Sequence, residues 1–267
     1  MERKKQFSHM IGMASFTLLL TVACSTPKRS STATPAPTPA EQISEWDYVA
    51  LGDSITWGMP DRYAEMMEQD LGVAVIVHGK TVSSDHSSRL LERLRTSTML
   101  RQDLREAEVI TLQIPFSVFS RPMSTYMSSP GACGGADNQD CLREALEAFK
   151  ADVEGIIAEM VSVRSPSEAL IRTQDMHPYY VMEQKEAGCF EVTDAYWREA
   201  NAHIRSVARA HGIPVAQVYD AFAGESGTED PRDRGLVSDG AHTTPKGAAL
   251  MAECYRDLGY EYTSSAP

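Results

Sequence analysis

Clustered positive charge is missing from most of this sequence. The 267 residues include 25 lysine and arginine residues against 37 aspartate and glutamate residues, which gives a formal charge of −12. Binding to nucleic acid depends on basic clusters that neutralise phosphates, so the composition argues against nucleic acid as a partner. The sequence also has no internal repeat of solenoid or propeller type. No cysteine or histidine spacing is typical of a zinc site.

Long hydrophobic runs are missing as well. The apolar stretch "MIGMASFTLLLTVA" at residues 10–23 is too short to span a bilayer comfortably. It follows a basic segment at residues 3–5, which is the pattern of an export signal. The stretch ends in "LTVAC", which resembles the lipobox of bacterial lipoproteins, where the signal is removed and the cysteine carries the lipid. We expect residues 1–23 to be a signal peptide and Cys24 to anchor the protein to a membrane, with ordinary secretion as the alternative.

A segment of low complexity follows the signal. The sequence "STPKRSSTATPAPTPAEQ" at residues 25–42 has almost no large apolar side chain with which to build a core. We interpret residues 24–45 as a linker that tethers the rest of the chain. Residues 46–267 are then expected to form one folded domain, since 42% of the chain is hydrophobic and suffices for a sizeable core.

Short apolar runs alternate with longer segments of helical periodicity from residue 46 onward. This alternation predicts an α/β fold with a five-stranded parallel sheet covered by helices on both faces. The predicted strands are "WDYVALG", "VAVIVHG", "EVITLQI", "ALIRTQ" and "IPVAQVY". The predicted helices lie at about residues 61–71, 87–105, 141–163, 194–210 and 245–258. The aperiodic stretch 115–140 follows the third strand and is expected to be a functional loop at the carboxyl edge of the sheet.

Four cysteines remain after the predicted signal, and an even number in an exported chain favours disulfides. Cys133 and Cys141 flank a glycine-rich turn and are expected to pair, which leaves Cys189 and Cys254 as the second pair. Two other connectivities are possible. The oxygen-rich "ADNQD" at residues 136–140 lacks the glycine and distal glutamate of an EF-hand loop, so we expect no metal site there.

Two short motifs carry the chemistry. "LGDSIT" at residues 51–56 places Ser54 after the first strand and ahead of a helix, whose N–H groups favour developing negative charge. A serine hydroxyl needs a base and a group that orients the base. "SDGAHTTPKG" supplies both, with Asp239 three residues before His242 on a loop that precedes the last helix. The alternatives are a capping serine, a surface histidine and a turn aspartate.

These motifs resemble the first and last sequence blocks of the SGNH or GDSL hydrolases, which are serine esterases and lipases of flavodoxin-like, three-layer α/β/α fold. The resemblance implies that Ser54 is the nucleophile and an oxyanion donor through its N–H, that His242 is the base, and that Asp239 is its partner. It also implies that the G-x-S-x-G motif of other hydrolases is absent, and "GESG" at residues 224–227 does not fit that motif.

The two middle blocks depart from the family pattern. The family has a glycine after the second strand that donates an oxyanion N–H, and here Ser84 takes that place, with Gly79 as an alternative register. The family then has G-x-N-D after the third strand, whereas this chain reads "PFSV", which puts Ser117 in the position of the oxyanion asparagine. Loss of one donor costs about 10² to 10³ in rate. We therefore expect an active but slow or specialised enzyme.

Several further residues are candidates for substrate contact. Asp53 precedes the nucleophile, and His177 follows the fourth strand with Asp175 nearby, which makes His177 a rival base. Apolar side chains of the long loop form an acyl pocket or pack beneath the loop, and these are Phe116, Phe119, Met123, Tyr126 and Met127.

The expected function is hydrolysis of carboxylic esters without a metal or organic cofactor, through an acyl-enzyme on Ser54. The substrate is expected to be a small acyl ester or an ester of a lipid or glycan. One alternative is a surface binding protein that has lost the chemistry. Another is an acyl or acetyl transferase, or a deacetylase, that acts on envelope glycans.

Overall fold

The computed structural model describes residues 44–81 and 86–262. Within these ranges five strands form one sheet in the order β2-β1-β3-β4-β5, and every neighbouring pair is parallel. The strands are β1 (Glu45–Gly52), β2 (Ala74–Thr81), β3 (Val109–Leu112), β4 (Leu170–Gln174) and β5 (Val215–Ala216). The α/β fold class predicted from the alternation is confirmed.

Nine α-helices lie within the same described ranges. They are α1 (Met59–Leu71), α2 (Ser87–Thr96), α3 (Thr98–Glu106), α4 (Ser120–Ser128), α5 (Asp140–Val163), α6 (Val181–Glu186), α7 (Phe190–Ala210), α8 (Val218–Ala223) and α9 (Pro245–Arg256). The helices pack in two groups, α1 and α8 against α9 in one and α2, α3, α4 and α7 against α5 in the other. The central strands β3 and β4 are buried along their whole length, as expected where helices cover both faces of a parallel sheet.

Each helix group buries an apolar stripe. The inward side chains of α5 recur at helical spacing, at Leu142, Leu146, Phe149, Val153, Ile157 and Met160.

In α9 the Thr244 hydroxyl caps the first turn by accepting a hydrogen bond from the Gly247 N–H at 3.2 Å, and Pro245 follows it. This N-terminus is the one predicted from the sequence.

Two predicted elements differ from the structure. The helix expected at residues 87–105 is broken at Ser97, whose backbone is extended and whose hydroxyl accepts a hydrogen bond from the Leu100 N–H. A serine can satisfy backbone donors in this way and so begins a new helix, α3. The fifth strand is limited to Val215–Ala216 because the chain turns into α8, where the Tyr219 N–H donates to Asp175 Oδ1 at 2.8 Å.

The long segment predicted as a loop contains ordered helical structure. A 3-10 turn at Ser117–Phe119 leads directly into α4. Its sequence is rich in serine and contains a proline, so it shows no clear helical period. Burial of Phe119 and Met123 against the rest of the fold, and not local propensity, stabilises this segment. Helix α6 was not predicted for a different reason, because its six residues are too few to show a helical period.

Only one of the two predicted disulfides is present in the described part of the chain. Cys133 and Cys141 are bonded. Cys189 and Cys254 are free thiols, so the second predicted pair is wrong. Cys189 lies at the start of α7, where its thiol donates to the Gln184 carbonyl, whereas Cys254 lies in α9. These helices belong to different packing groups.

The predicted signal peptide, the lipidation site Cys24, most of the linker and Ser84 lie outside the described residues. None of the helices within residues 44–81 and 86–262 is both long and apolar enough to cross a membrane.

Candidate active site

Ser54 lies in a tight turn between β1 and α1. β1 ends at Gly52, and Ser54–Thr56 forms one turn of 3-10 helix. The Asp53 carboxylate accepts a hydrogen bond from the Ile55 N–H at 2.9 Å, while the Asp53 N–H donates to Gln113 Oε1 at 3.0 Å. Asp53 is therefore buried as the cap of this turn. In this role it positions Ser54.

The structure brings Ser54, His242 and Asp239 into one hydrogen-bonded relay. Ser54 Oγ lies 3.0 Å from His242 Nε2, and His242 Nδ1 lies 2.7 Å from Asp239 Oδ2. An ionised carboxylate can only accept, so Nδ1 carries the ring proton and Nε2 presents its lone pair to the serine hydroxyl. This geometry can take a proton from Ser54 as its oxygen attacks an electrophile.

The second oxygen of Asp239 is held by the backbone of its own loop. Oδ1 accepts hydrogen bonds from the His242 N–H at 2.8 Å and from the Ala241 N–H at 3.1 Å. Desolvation raises the pKa of Asp239, but these backbone hydrogen bonds and the contact with the His242 ring outweigh it and lower the pKa below its usual value. The carboxylate therefore stays ionised and keeps its orientation.

Two hydrogen bonds support the loop that carries the base. The Thr243 hydroxyl donates to the Ile55 carbonyl at 2.8 Å, which joins this loop to the nucleophile turn. In the second, His177 Nε2 lies 2.9 Å from the Ala241 carbonyl oxygen. A carbonyl only accepts, so His177 Nε2 carries the proton.

Tyr180 supports the same loop from another side. Its N–H donates to the Gly240 carbonyl at 2.9 Å. Gly240 has a φ of +89°, and a Cβ there would lie 3.0 Å from the Tyr180 ring, so glycine satisfies both the turn and the contact. Burial and the neighbouring Asp239 and Glu183 carboxylates raise the pKa of Tyr180, which keeps its phenol protonated.

His177 is not placed as a rival base. Its ring is completely buried and donates to the loop of His242, so it does not line an accessible site as predicted. Asp175 does not pair with it, because its two oxygens accept from Arg205 and from the Tyr219 N–H. Burial raises the pKa of Asp175 to about 6 against these two partners. Burial lowers the pKa of His177 to about 3.

We expect His177→Gln to flatten the acid side of the stability profile. The unfolded histidine binds a proton below about pH 6.5, whereas the folded one binds it only near pH 3. Falling pH therefore favours the unfolded state by up to about 1.4 kcal/mol per pH unit between these values. Glutamine can still donate to the Ala241 carbonyl but does not titrate. The free energy of unfolding from urea titrations should fall less steeply in the variant between pH 6 and pH 4.

Measurements at pH 8 provide the control for that comparison. There His177 is neutral in both states, so any difference reports packing alone. The contribution of Asp175 to the pH dependence has the opposite sign, since its raised pKa lowers stability as pH rises toward 6. This contribution is the same in both proteins and cancels in their difference. Parallel curves for the two proteins would show that His177 does not govern the acid sensitivity.

The structure describes two of the predicted oxyanion candidates, Ser117 and Gly79, but not Ser84. Ser117 begins the 3-10 turn after β3, and its Oγ is buried without a hydrogen-bond partner among the described residues. Such a hydroxyl is costly to leave unpaired, so it is a candidate for a ligand-facing donor. Ser84 lies outside the described residues, and Gly79 lies within β2 opposite Ala50.

An apolar cavity of about 320 Å³ lies between α4, α6 and α7. Its walls include Phe116 and Phe119 of the long segment, with Met123, Met127 and Trp197. Tyr126, the fifth apolar residue of the predicted pocket, is not part of the wall. Phe116 stacks on Tyr179 with 3.9 Å between ring centroids, which fixes one end of the cavity.

Tyr180 joins this cavity to the relay. Its side chain forms part of the cavity wall, while its backbone binds Gly240 in the loop of Asp239 and His242. Sequence reasoning did not single out Tyr180, Gln113 or Thr243. Only Thr243 has a sequence signal, because it directly follows the predicted base. The other two act through contacts between distant segments.

No group of three or more histidine, cysteine, aspartate or glutamate side chains within the described ranges could hold a metal ion.

Comparison with known proteins gives one family match. Residues 50–250 match the sequence profile of the GDSL-like lipase/acylhydrolase family, and this range includes all three relay residues. No curated protein is significantly similar to the chain in sequence.

Several solved structures share the fold. A lipase from a goat rumen metagenome, Lip_vut3, is 22% identical with a TM-score of 0.65, over 80% of this chain and 98% of its own. The acetylxylan esterase Axe2 from Geobacillus stearothermophilus is 15% identical with a TM-score of 0.55, over 84% and 99%. An extracellular lipase from Streptomyces rimosus is 16% identical with a TM-score of 0.55, over 80% and 99%.

Proposed function

Because the chain belongs to the GDSL-like lipase/acylhydrolase family, we propose that it is a serine hydrolase that cleaves carboxylic esters with Ser54 as nucleophile, His242 as base and Asp239 as the group that orients it. The observation that carries the proposal is the continuous relay from Ser54 Oγ through the imidazole to the Asp239 carboxylate. Each contact is within hydrogen-bond distance and has the donor and acceptor order that acyl transfer requires.

The reaction proceeds in two halves. Ser54 Oγ attacks the ester carbonyl carbon while its proton passes to His242 Nε2, and a tetrahedral intermediate forms. His242 then gives that proton to the alcohol oxygen as the bond between carbonyl carbon and alcohol oxygen breaks. Water enters, loses a proton to His242 and attacks the acyl-enzyme, and the proton returns to Ser54 as the acid leaves. Asp239 stabilises the imidazolium in both halves.

Developing negative charge on the carbonyl oxygen needs donors. The Ser54 N–H is one, and the buried, unpartnered Ser117 hydroxyl supplies another in the place of the family's asparagine. The resemblance to the family's second sequence block assigns a third donor to the Ser84 N–H. A hydroxyl reaches less far than an asparagine amide, and donors of this kind are each worth about 10² to 10³ in rate, so this enzyme is slower than relatives with the amide.

The acyl group occupies the apolar cavity beyond Tyr180. Methionine and aromatic side chains make up most of its walls, beside three serines, Glu183 and Gln184, and this largely apolar surface favours an alkyl chain over water. A methylene is about as large as a water molecule, roughly 30 Å³, so 320 Å³ accepts a short to medium chain. The similar structures include both lipases and an acetyl esterase, which agrees with an ester substrate and leaves the chain length to the cavity.

We also propose that the protein is exported. Residues 1–23 act as a signal, Cys24 carries a lipid, and residues 24–45 tether the hydrolase domain, 46–267, outside the membrane. The sequence pattern supports this arrangement, as does the extracellular location of the similar lipase from Streptomyces rimosus.

A fluorophosphonate probe, an organophosphorus reagent, tests the function directly. It should attach to Ser54 of the folded protein, and His242→Ala should slow that reaction by roughly 10³-fold or more, because the hydroxyl loses its base. His211→Ala is the matched control, since His211 ends α7 away from the relay. A folded protein that the probe does not label, and that turns over no acetyl or butyryl ester, would indicate a binding protein on the same fold.

A further inference from the structure

The Trp57 side chain is exposed to solvent close in sequence to the candidate nucleophile. It follows Ser54 by three residues, its N–H donates to the Ser54 carbonyl at 3.4 Å, and its side chain is 69% exposed. Single exposed apolar residues are common. This one differs because it borders a second cavity, of about 450 Å³, whose other walls are mostly polar.

The second cavity is built from the two segments that carry the relay. One wall is the start of α1, which follows Ser54, and the other is the segment that follows His242. The hydrogen bond from the Thr243 hydroxyl to the Ile55 carbonyl joins these walls. None of its lining residues lines the apolar cavity. An ester has an acyl side and an alcohol side, and neighbours of the relay line both cavities, Tyr180 in the apolar one and Thr243 in the polar one.

Charged groups surround the indole. Asp61, Arg62 and Glu65 lie on the first turns of α1 and line the cavity. Arg62 and Glu65 pair at 2.8 Å at the rim, where their side chains are 51% and 54% exposed and within reach of a ligand. The cavity therefore combines one flat aromatic face with carboxylate acceptors and guanidinium donors.

We propose that this cavity binds the alcohol portion of the substrate as a sugar ring stacked on Trp57. The inference rests on the ester hydrolase function proposed above. A sugar presents C–H groups on its face, which suit an indole, and hydroxyls around its edge, which donate to carboxylates and accept from guanidinium. An alkyl alcohol has no ring of hydroxyls with which to bind these exposed charged side chains, so it gains less from this cavity. A quaternary ammonium prefers several aromatic rings, and here there is one.

The test compares two acetyl esters that differ only in the alcohol, 6-O-acetylglucose and ethyl acetate. Trp57→Ala should lower the ratio of their kcat/KM values by roughly 3- to 10-fold, mainly through a higher KM for the sugar ester, as aromatic contacts of this size imply. Trp57→Phe should recover part of the ratio, because an aromatic face remains. The side chain is largely exposed, so both variants should fold. Met99→Ala, an equally exposed apolar residue on α3, should leave the ratio unchanged.

The outcomes separate the two proposals. Turnover of both esters with a ratio that Trp57→Ala does not alter would overturn the sugar site and leave the hydrolase standing. If neither ester is turned over, both the hydrolase function and the sugar site are overturned. A loss confined to acetylcholine, tested alongside, would assign the cavity to a quaternary ammonium and also contradict the sugar site.

Discussion

Ser54→Ala should reduce kcat on a short-chain ester by roughly 10⁴- to 10⁶-fold, the range that follows loss of the nucleophile in serine hydrolases. The methyl group that remains cannot form the acyl-enzyme, so only water activated near His242 can attack. The oxyanion donors and both cavities are unchanged, which leaves a small residual rate and a similar KM. Initial rates with butyryl esters, measured at high enzyme concentration, give both constants.

Ser206→Ala is the matched control for that variant. Ser206 is an exposed serine on α7 and contacts neither the relay nor the two cavities. Its removal should leave kcat within about a factor of two, and circular dichroism should show both variants folded. If Ser54→Ala retains more than about a tenth of the activity, Ser54 is not the nucleophile and the mechanism fails.

Asp239→Asn should lower kcat by about 10⁴-fold, although it preserves the shape of the side chain. The amide oxygen is held by the N–H groups of Ala241 and His242, which at present donate to Asp239 Oδ1. The amide NH₂ then faces His242 Nδ1 and donates to it. This moves the ring proton to Nε2, the nitrogen that faces Ser54. A protonated Nε2 can no longer accept the hydroxyl proton.

Asp233→Asn provides the same loss of charge at an exposed position six residues away. It should leave kcat nearly unchanged, which separates the tautomer effect from a general change of charge near the site. NMR of the His242 ring nitrogens adds an independent measurement, since the protonated nitrogen should change from Nδ1 to Nε2 in Asp239→Asn. An unaltered tautomer together with wild-type activity would contradict the orienting role of Asp239.

Sequence patterns predicted the fold because its signals are local. The buried runs of β3 and β4, the helical stripe of α5 and the cap at Thr244 each depend on neighbouring residues. The pairing of Ser54 with His242 came from short motifs at the two ends of the domain. Periodicity does not bring these residues together, and the resemblance to a known family was needed for that step.

What the patterns missed depends on contacts between distant segments. His177 resembled a site residue because it follows β4, yet the fold buries it under the Ala241 carbonyl, 64 residues away. Asp53 resembled a polar ligand-binding residue, but Gln113 and Ile55 use its backbone and side chain to hold the turn. Elimination paired Cys189 with Cys254, although their helices belong to separate groups. Tertiary packing decides each of these roles.

The packing of α1 against α9 has a consequence for the timing of synthesis. The nucleophile leaves the ribosome 188 residues ahead of its base, and the base loop reaches it only when α9 docks. Until then the nascent polypeptide holds an unactivated hydroxyl, so it cannot attack cellular esters while it is still being made. Export through a membrane in an unfolded form would extend this silent interval until the domain folds on the far side.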